Sequence, residues 1–458
     1  MASEANRFSG RVRRYGQVGT NLGYAAVRVA SSKLLNGDGR SVNAVILAKS
    51  LGKIKGPLMK IAQMVSTIPD LVPGEYASEL AKLQNSAPPM GWPFVRRRME
   101  AELGADWQSK FMEFGREPAA AASLGQVHRA RSAEGCALAC KLQYPDMESV
   151  VEADINQLKI IFAVYRRMNP VVLTDEIAIE LSERLREELD YFREACSLVL
   201  YQKILADFGE IHIPRTVPSL SSGRLLTMSW EEGRPLLDFR NAALETRNLI
   251  GSALFRAWWH PFASIGVIHG DPHLGNYSIR EKDGVVSGIN LLDFGCIRIF
   301  SPHFVRGVVD LYQGLRDGRK AQVVHAYETW GFVDLGSEII DVLNIWARFI
   351  YGPLIDDRVR SIADGIKPGE YGRREAFAIH EALRKKGPIK VPREFVFMDR
   401  AAIGLGAVFL HLRAEMNFHI LFERAVHGFD VEELAKSQTR ELELAGIAVP
   451  DDNVVRTL

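Results

Sequence analysis

The chain has 458 residues, of which 47% are hydrophobic and 25% are charged. Its 57 lysine and arginine residues nearly balance its 56 aspartate and glutamate residues, so the net charge is +1 with neutral histidines. This composition is typical of a globular protein with a large hydrophobic core. The near-neutral charge excludes a strongly basic nucleic-acid-binding protein, and we expect no nucleic acid among the partners.

The chain has four cysteines, which are too few for a disulfide framework at this length. Cys136 and Cys140 are four residues apart, but no second pair and no histidine cluster lies nearby in the sequence. The sequence therefore predicts ordinary thiols in a reducing compartment rather than a zinc site.

The sequence predicts no transmembrane helix and a cytoplasmic protein. The longest stretch without Asp, Glu, Lys or Arg is residues 257–270, which is 14 residues, whereas a spanning helix needs about 20 apolar residues. The N-terminal arginines leave three roles open: a solvated arm, a peripheral contact with an anionic bacterial inner membrane, or a targeting segment. These arginines are Arg7, Arg11, Arg13 and Arg14.

Composition and proline positions divide the chain into four predicted regions. Residues 1–40 are basic and contain scattered glycine and serine, which indicates a loosely ordered, flexible arm. Residues 41–110 follow a helical pattern of apolar residues that prolines interrupt. Residues 111–232 are predicted to form a small sheet with helices, and residues 233–458 a mainly helical region.

Within these regions, short runs predict strands and longer periodic stretches predict helices. The predicted strands cover residues 126–130, 137–142, 211–214, 224–228 and 285–293. The two longest predicted helices cover residues 147–168 and 175–208. This order of helices, a small sheet and a large helical part predicts an α+β fold.

A candidate phosphate-binding loop runs from Ala120 to Val127. It follows the kinase pattern G-x-G-x-x-G-x-V with alanine at the first two glycine positions. Small residues let backbone N–H groups approach a triphosphate, and alanine makes the loop stiffer than glycine would. The alternative is an alanine-rich strand turn. The candidate nucleotide-binding residues of this loop are Ala120, Ala121, Ala122, Ser123, Gly125 and Val127.

Lys141 follows Val127 by fourteen residues, at the position of the kinase strand lysine that neutralises the α- and β-phosphates. A buried ammonium needs a carboxylate partner, which we expect on the helix predicted over residues 175–208. An exposed acidic helix face is the alternative explanation for most of these carboxylates. The candidates are Glu183, Glu187, Glu188 and Glu194.

The segment His269-Gly-Asp-Pro-His-Leu-Gly-Asn276 indicates a catalytic loop. Asp271 and Asn276 are five residues apart, which is the spacing of H-R-D-x-x-x-x-N. Such an aspartate orients or deprotonates the attacking hydroxyl, and the asparagine binds a metal ion. Asp293 follows within Leu-Leu-Asp-Phe-Gly, where a carboxylate would bind Mg²⁺. We expect His269 to be structural, and the role of His273 stays open.

Together these residues resemble the UbiB-like, or aarF-domain, family of atypical kinases, which is linked to ubiquinone biosynthesis. Three further segments carry the resemblance: Lys60-Ile-Ala-Gln63, Leu83-Gln-Asn-Ser-Ala-Pro-Pro89 and Glu188-Leu-Asp190-Tyr-Phe-Arg-Glu194-Ala. They follow the family patterns K-x-G-Q, Q-x-x-A-P-P and E-x-D-Y-x-x-E-A. The resemblance covers about residues 40–300, and the glycine of K-x-G-Q is replaced by Ala62.

The resemblance implies a mainly helical, two-lobed protein kinase-like fold with the N-terminal helical extension packed over the active cleft. It implies that Glu194 pairs with Lys141. It also implies that Glu188 and Asp190 face Lys60 and Gln63 and so restrain the cleft. Residues two apart do not share a face of a regular helix, so we expect Glu188 and Asp190 at a helix end or kink.

The resemblance further implies an enzyme that uses ATP and Mg²⁺ and supports ubiquinone or other prenyl-lipid biosynthesis. It would hydrolyse ATP or phosphorylate a small molecule rather than proteins. The expected partners are ATP, an unidentified small-molecule or lipid substrate, and quinone-biosynthesis enzymes. Two alternatives stay open: a small-molecule kinase of the aminoglycoside or choline type, and a nucleotide-gated scaffold for lipid-biosynthetic enzymes.

One stretch in the C-terminal third, residues 398–410, combines small and apolar residues. Ala401, Gly404 and Gly406 suit close helix packing, which is the default interpretation. The alternative is that its apolar residues line a lipid pocket.

Overall fold

The computed structural model describes the chain in five stretches and five further residues. The described residues are 90–122, 124–168, 185–332, 335–363 and 393–450, together with 179, 182, 183, 365 and 366. The predicted arm over 1–40 and residues 41–89 of the predicted extension lie outside them. Lys60, Gln63 and Ser123 therefore also lie outside the described residues.

The chain forms two compact units. The first contains the described residues up to Phe192 and the segment Thr216–Trp230. The second contains Arg193–Arg215 and the described residues from Glu231 onward. Both units mix helices with sheets, which agrees with the predicted α+β class.

The first unit is built around an antiparallel sheet in the order β1-β3-β4-β6, with β2 paired to β3. Its strands are β1 (Phe111–Phe114), β2 (Ala120–Ala122), β3 (Gly125–Ser132), β4 (Ala137–Gln143) and β6 (Leu225–Ser229). In its described residues the helices are α1 (Trp92–Leu103), α2 (Met147–Met168) and helical residues at 185–187, with 3₁₀ turns at Trp107–Lys110 and Pro218–Leu220. The core contains Val95, Met99 and Trp107 together with apolar residues of the strands.

Helix α3 (Tyr191–Ile204) begins in the first unit and continues into the second. The second unit has a four-stranded sheet in the order β5-β10-β9-β7 and a separate pair of strands, β8 and β11. These strands are β5 (Ile211–His212), β7 (Arg234–Pro235), β8 (Val267–His269), β9 (Tyr277–Lys282), β10 (Val285–Leu291) and β11 (Ile297–Ile299).

Seven helices of the second unit follow in the described part of the chain. They are α4 (Leu244–Ile265), α5 (Pro302–Arg316), α6 (Lys320–Thr329), α7 (Ser337–Ile355), α8 (Arg393–Leu412), α9 (Phe418–Val426) and α10 (Val431–Ala445). Two 3₁₀ turns lie at Leu236–Phe239 and Leu274–Asn276. In the described residues, no helix combines the length and apolar character that crossing a membrane requires.

Local sequence signals set several helix ends. Helix α5 begins after Ser301, whose hydroxyl accepts a hydrogen bond from the N–H of Phe304 at 3.2 Å, and Pro302 occupies the first helical position. Helix α4 ends at Gly266, whose φ of 65° is left-handed. Such a conformation favours glycine because it has no Cβ.

The predicted strands and the helix over 147–168 are found close to their predicted positions. The single helix predicted over 175–208 is wrong, because a turn at residues 188–190 precedes α3. The prediction of only one strand after residue 233 is also wrong. Strands β7, β8, β9 and β11 have six residues or fewer, and such short elements leave little periodic signal.

A glycine pair in the second unit yields a stability prediction. Gly284 and Gly288 both have positive φ, 77° and 152°. A Cβ at Gly284 would meet nothing within 4 Å, whereas a Cβ at Gly288 would overlap the carbonyl group of Glu210. We expect Gly284→Ala to cost about 1–2 kcal/mol from backbone strain and Gly288→Ala at least about 2 kcal/mol more. Urea unfolding measures both, and equal losses would contradict the close approach.

Candidate active site

The alanine-rich loop of the first unit is a β-hairpin arm. Ala120 pairs with Val127 and Ala122 with Gly125 in antiparallel register, so the alanines form strand β2 itself. A Cβ at Gly125 would overlap the carbonyl oxygen of Leu142 on β4. Position 125 therefore requires glycine, because β3 and β4 approach too closely there to leave room for a side chain.

Lys141 lies on β4, where it pairs with Val127 across the sheet. Its side chain is largely buried, with 8% exposure for the residue. Its Nζ lies 5.4 Å from the centre of the Tyr191 ring, which is within cation–π range. The hydroxyl of Tyr191 also lies 3.0 Å from the position that a Gly125 Cβ would take. Tyr191 thus contacts both the lysine and the hairpin.

No role was predicted for Tyr191 from the sequence, although the residue belongs to the E-x-D-Y-x-x-E-A pattern. The sequence signal that points to Tyr191 is its position directly after the motif carboxylates Glu188 and Asp190. Its burial, with 2% of its surface exposed, is not visible from the local sequence.

Glu188 and Asp190 lie in the turn before α3, which confirms the expected helix end. Backbone bonds define the turn: the N–H of Leu189 donates to the carbonyl of Arg186, and the N–H of Asp190 to that of Glu187.

This acidic turn is connected to the lysine strand. Gln143, the last residue of β4, donates from its side-chain amide to the carbonyl of Leu189 at 3.1 Å. Lys141 and Gln143 lie on the same strand, so the hydrogen bond from Gln143 fixes the position of the turn relative to Lys141. That the turn faces Lys60 and Gln63 stays a prediction.

A buried polar chain joins β3 to the residue that follows the Ala-Pro-Pro segment. Gln126 accepts from the N–H of Met90 at 2.7 Å and donates to its carbonyl at 3.1 Å. Gln126 also lies 2.8 Å from Nε2 of His128, whose Nδ1 lies 2.8 Å from the carbonyl of Gly115. A carbonyl can only accept, so Nδ1 carries the proton and Nε2 accepts from the Gln126 amide.

His128 is therefore a neutral histidine in this arrangement. Burial lowers its pKa, against the smaller opposing effects of the Gly115 hydrogen bond and the nearby Glu117 carboxylate. No role was predicted for Gln126 or His128, because the contacts of Gln126 with Met90 and of His128 with Gly115 span 36 and 13 residues.

In the second unit, the imidazole of His269 joins the two loops that the sequence analysis singled out. Its Nε2 lies 2.5 Å from the backbone carbonyl of Asp293. Its Nδ1 accepts from the backbone N–H of Asp271 at 3.3 Å. One neutral tautomer satisfies both bonds. The structural role expected for His269 agrees with this geometry.

Asn276 is oriented by the same loop. Its side-chain amide donates to the backbone carbonyl of Asp271 at 2.9 Å, so the side-chain oxygen is the atom of Asn276 that a metal ion would contact. Asp293 accepts from the N–H of Gly295 at 3.0 Å through one carboxylate oxygen. Both residues offer hard oxygen ligands, which Mg²⁺ prefers.

The described residues contain no group of three or more His, Cys, Asp or Glu that could hold a metal ion. A set of one carboxylate and one amide oxygen instead fits a magnesium ion that also binds substrate phosphates. The residues present therefore fit Mg²⁺.

Glu194 of α3 is buried, with 2% exposure, and lies in the same unit as Asp293. Its Oε2 lies 3.7 Å from the position that a Gly295 Cβ would take. The glutamate therefore reaches the loop that carries Asp293.

His273 has a local structural contact. Its Nδ1 accepts from the N–H of Gly275 at 3.1 Å and so caps the 3₁₀ turn that contains Asn276. This bond stabilises the turn that places the metal-binding candidate.

The C-terminal stretch 398–410 packs in helix α8. Ala401, Leu405 and Val408 are buried, in agreement with the default interpretation of core packing. A Cβ at Gly404 would overlap the ring of Pro272, the residue after Asp271. Helix α8 therefore supports the catalytic-loop candidate directly.

Comparison with known proteins identifies the family. Residues 82–327 match the family described as the ABC1 atypical kinase-like domain, which is more than half of the chain. The chain belongs to the ABC1, or aarF and UbiB-like, family of atypical kinases. The family predicted from the sequence motifs is confirmed.

Curated relatives carry atypical-kinase names. The chain is 30% identical to "Atypical kinase COQ8, mitochondrial" of Saccharomyces cerevisiae over 322 residues, which is 68% of this chain and 64% of that protein. It is 27% identical to "Atypical kinase COQ8B, mitochondrial" of Rattus norvegicus over 360 residues, 74% and 67% of the two chains. The chain spans about two fifths to two thirds of the length of the curated relatives it matches.

A solved structure confirms the fold class. The structure of Rv3197 from Mycobacterium tuberculosis, a complex with erythromycin, matches with a TM-score of 0.59 and 24% identity. The match covers 90% of this chain and 99% of that chain. At this identity the likeness shows the fold alone, which is kinase-like and α+β as predicted.

The neutral His128 yields a prediction for pH dependence. Because folding lowers its pKa, the unfolded chain binds a proton more readily than the folded chain. Stability contributed by this residue should therefore be lost as the pH falls below the ordinary histidine pKa of about 6.5. We expect His128→Asn, which cannot take up this proton, to unfold in urea with a weaker dependence on pH between 7 and 5. The same change at the exposed His303 is the control. Identical pH dependence in both variants would contradict the prediction.

Proposed function

We propose that this chain is an ATP-dependent phosphotransferase or ATPase that uses Mg²⁺. The observation that carries the proposal is the His269 bridge, because it ties the backbone of Asp271 to that of Asp293. In kinases, phosphoryl transfer depends mainly on positioning and on charge stabilisation. A rigid link between the proposed base and the proposed metal ligand supports such positioning.

Each residue of the second unit has a proposed role. Magnesium, when bound, would neutralise charge that develops on the phosphate oxygens. Asn276 and Asp293 would hold it through their side-chain oxygens. Asp271 would orient the attacking hydroxyl or water and accept its proton.

Residues of the first unit have proposed roles toward the phosphates. Lys141 would neutralise the α- and β-phosphates, and Tyr191 would position its ammonium. The hairpin residues Ala120–Ala122, with Gly125 and Val127, would cover the phosphates through backbone N–H groups. Glu194 would pair with Lys141 to keep the lysine in place.

We further propose that the activity supports biosynthesis of ubiquinone or a related prenyl lipid. The COQ8 names of the relatives and the intact kinase motifs support this role. The substrate would be a small molecule or lipid, and quinone-biosynthesis enzymes would be partners. We place the protein in the cytoplasm with peripheral membrane contact. The extension over 41–110, through Lys60 and Gln63, would restrain the site against Glu188 and Asp190.

The first test is phosphate release from Mg-ATP by the full chain. We expect Asp271→Asn to reduce the rate by about 10²–10⁴-fold, because it removes the proposed base. We expect Asp293→Asn to weaken Mg²⁺-dependent ATP binding by at least about tenfold, because it removes a metal ligand. The assay is run alone, with anionic liposomes and with a phenolic quinone-precursor mimic.

The matched control is Asp283→Asn. Asp283 is exposed in the turn between β9 and β10 with a φ of 54°, which asparagine also adopts, so both activities should be kept. A wild-type chain that binds no Mg-ATP would contradict the proposal. Binding without turnover in any arm would instead favour the nucleotide-gated scaffold. Phosphorylation of a soluble amino alcohol would favour the aminoglycoside or choline type of kinase.

The second test concerns Tyr191. Tyr191→Phe keeps the ring near Lys141, whereas Tyr191→Leu removes it. A partly desolvated cation–π contact is worth about 0.5–2 kcal/mol, so we expect the leucine variant to bind Mg-ATP roughly 3- to 30-fold more weakly than the phenylalanine variant. Isothermal titration calorimetry measures both affinities, with Phe192→Leu as the control because Phe192 is 61% exposed. Equal affinities of the two Tyr191 variants would show that the ring does not position Lys141.

A further inference from the structure

Helix α10 lies outside the residues that match the ABC1 family, since it covers Val431–Ala445 and the match ends at residue 327. Both ends of the helix have capping residues. Asp430 accepts hydrogen bonds from the N–H groups of Glu432 and Glu433, each at 2.9 Å, and Gly446 ends the helix with a left-handed φ of 72°. Its contacts nevertheless lead to three segments that flank the proposed site.

The first contact joins two strand ends through one buried amide. Gln438 is 3% exposed, and its Nε2 donates to the carbonyl of Ile265 at 2.9 Å and to that of Phe300 at 2.8 Å. Ile265 precedes β8, which leads to Asp271. Phe300 follows β11, which comes after Asp293. The two strands that flank both loops are thus joined at their far ends by Gln438.

The fit around this amide is tight. A Cβ at Gly266 would lie 2.6 Å from Nε2 of Gln438 and 2.8 Å from the carbonyl oxygen of Phe300. Gly266 also accepts from the N–H of Phe300 at 2.8 Å. Loss of the amide would leave two buried carbonyl groups with a missing donor, which is costly in a protein interior.

The second contact is made with α3, the helix of Glu194. Lys203 of α3 lies 2.6 Å from a carboxylate oxygen of Glu441, whose side chain is only 11% exposed. The hydrogen bond from Lys203 lowers the pKa of Glu441, so this carboxylate is ionised at neutral pH. One turn further, a Cβ at Gly446 would lie 3.8 Å from the sulfur of Cys196, also on α3.

We propose that Gln438 and Glu441 are positioning residues that fix Glu194 relative to the loops of Asp271 and Asp293. Gln438 bonds to the two strand ends, and Glu441 bonds to the helix that carries Glu194. Helix α10 therefore fixes the positions of these three segments relative to one another. The inference rests on the proposed function only in the roles given to these three carboxylates. The C-terminal helix is then part of the catalytic apparatus rather than a packing element alone.

The test uses the full chain without nucleotide, so its result does not depend on ATP turnover. Hydrogen exchange is followed at residues 191–204, 267–269 and 297–299 by mass spectrometry. We expect Glu441→Gln to speed exchange in α3 about fivefold, because a partly buried ion pair is lost. Glu443→Gln, two residues away and exposed, is the matched control and should leave exchange unchanged.

A double-mutant cycle separates pairing from general loss of stability. Lys203→Met should speed exchange in α3 as Glu441→Gln does, and combining the two should add little further. Gln438→Leu should speed exchange at both strand ends, whereas the exposed Lys436→Leu should not. Additive effects of Lys203→Met and Glu441→Gln, or unchanged exchange in Gln438→Leu, would overturn the proposal.

Kinetics provides the second readout. If the wild type releases phosphate from Mg-ATP, Glu441→Gln should lower kcat about fivefold with little change in KM for ATP, at a temperature where both proteins are folded. An unchanged kcat alongside faster exchange would overturn the positioning role. A wild type that neither binds nor hydrolyses Mg-ATP would refute the proposed function, while the exchange result would still decide how α10 holds α3 and the strand ends.

Discussion

The proposed site of the second unit depends on one imidazole that forms hydrogen bonds with the backbone of two loops. His269 donates to the carbonyl of Asp293 and accepts from the N–H of Asp271, so each of its two ring nitrogens bonds to a different loop. The ring is 2% exposed and lies against Trp258 and Phe294, with ring centres 5.8 and 5.5 Å away. Packing against these two aromatic rings fixes the plane of the imidazole. Two loops whose aspartates, Asp271 and Asp293, are 22 residues apart in the chain thereby share one hydrogen-bonded support.

This support requires that β8 and β11 keep their register. His269 pairs with Ile297, and the N–H of Gly270 donates to the carbonyl of Cys296 at 2.6 Å. A two-stranded ladder is only marginally stable by itself. Its ends therefore need tertiary contacts, which Gln438 supplies at one end. On the loop side, α8 packs Gly404 against Pro272, where a side chain would displace the loop. Helices far along the chain thus stabilise a short motif that has little stability of its own.

Local sequence predicts much of this arrangement because the proposed chemistry itself has fixed spacings. Asp271 and Asn276 have the motif spacing of five residues, and in the structure the side chain of Asn276 donates a hydrogen bond to the backbone of Asp271. No role was predicted for three residues, because no fixed local spacing links them to their partners: Tyr191, Gln126 and Gln438. The partners of Gln126 and Gln438 lie 36, 138 and 173 residues away, so no periodicity or motif spacing marks them. The short strands β8 and β11 were missed because their pairing, not their composition, makes them strands.

In the alanine-rich hairpin, the proposed phosphate-binding loop, only one of the three positions of the glycine pattern requires glycine for lack of space. Ala120 and Ala122 belong to a strand paired with β3, and extended backbone accepts a Cβ without strain. Gly125 is different because a Cβ there would enter the space of the Leu142 carbonyl on β4. Alanine at the first two positions therefore restricts the flexibility of the arm but leaves its pairing intact, whereas position 125 is fixed by the approach of the lysine strand. The stiff arm and the Tyr191 ring beside Lys141 then act together, since both limit movement of the groups proposed to meet the phosphates.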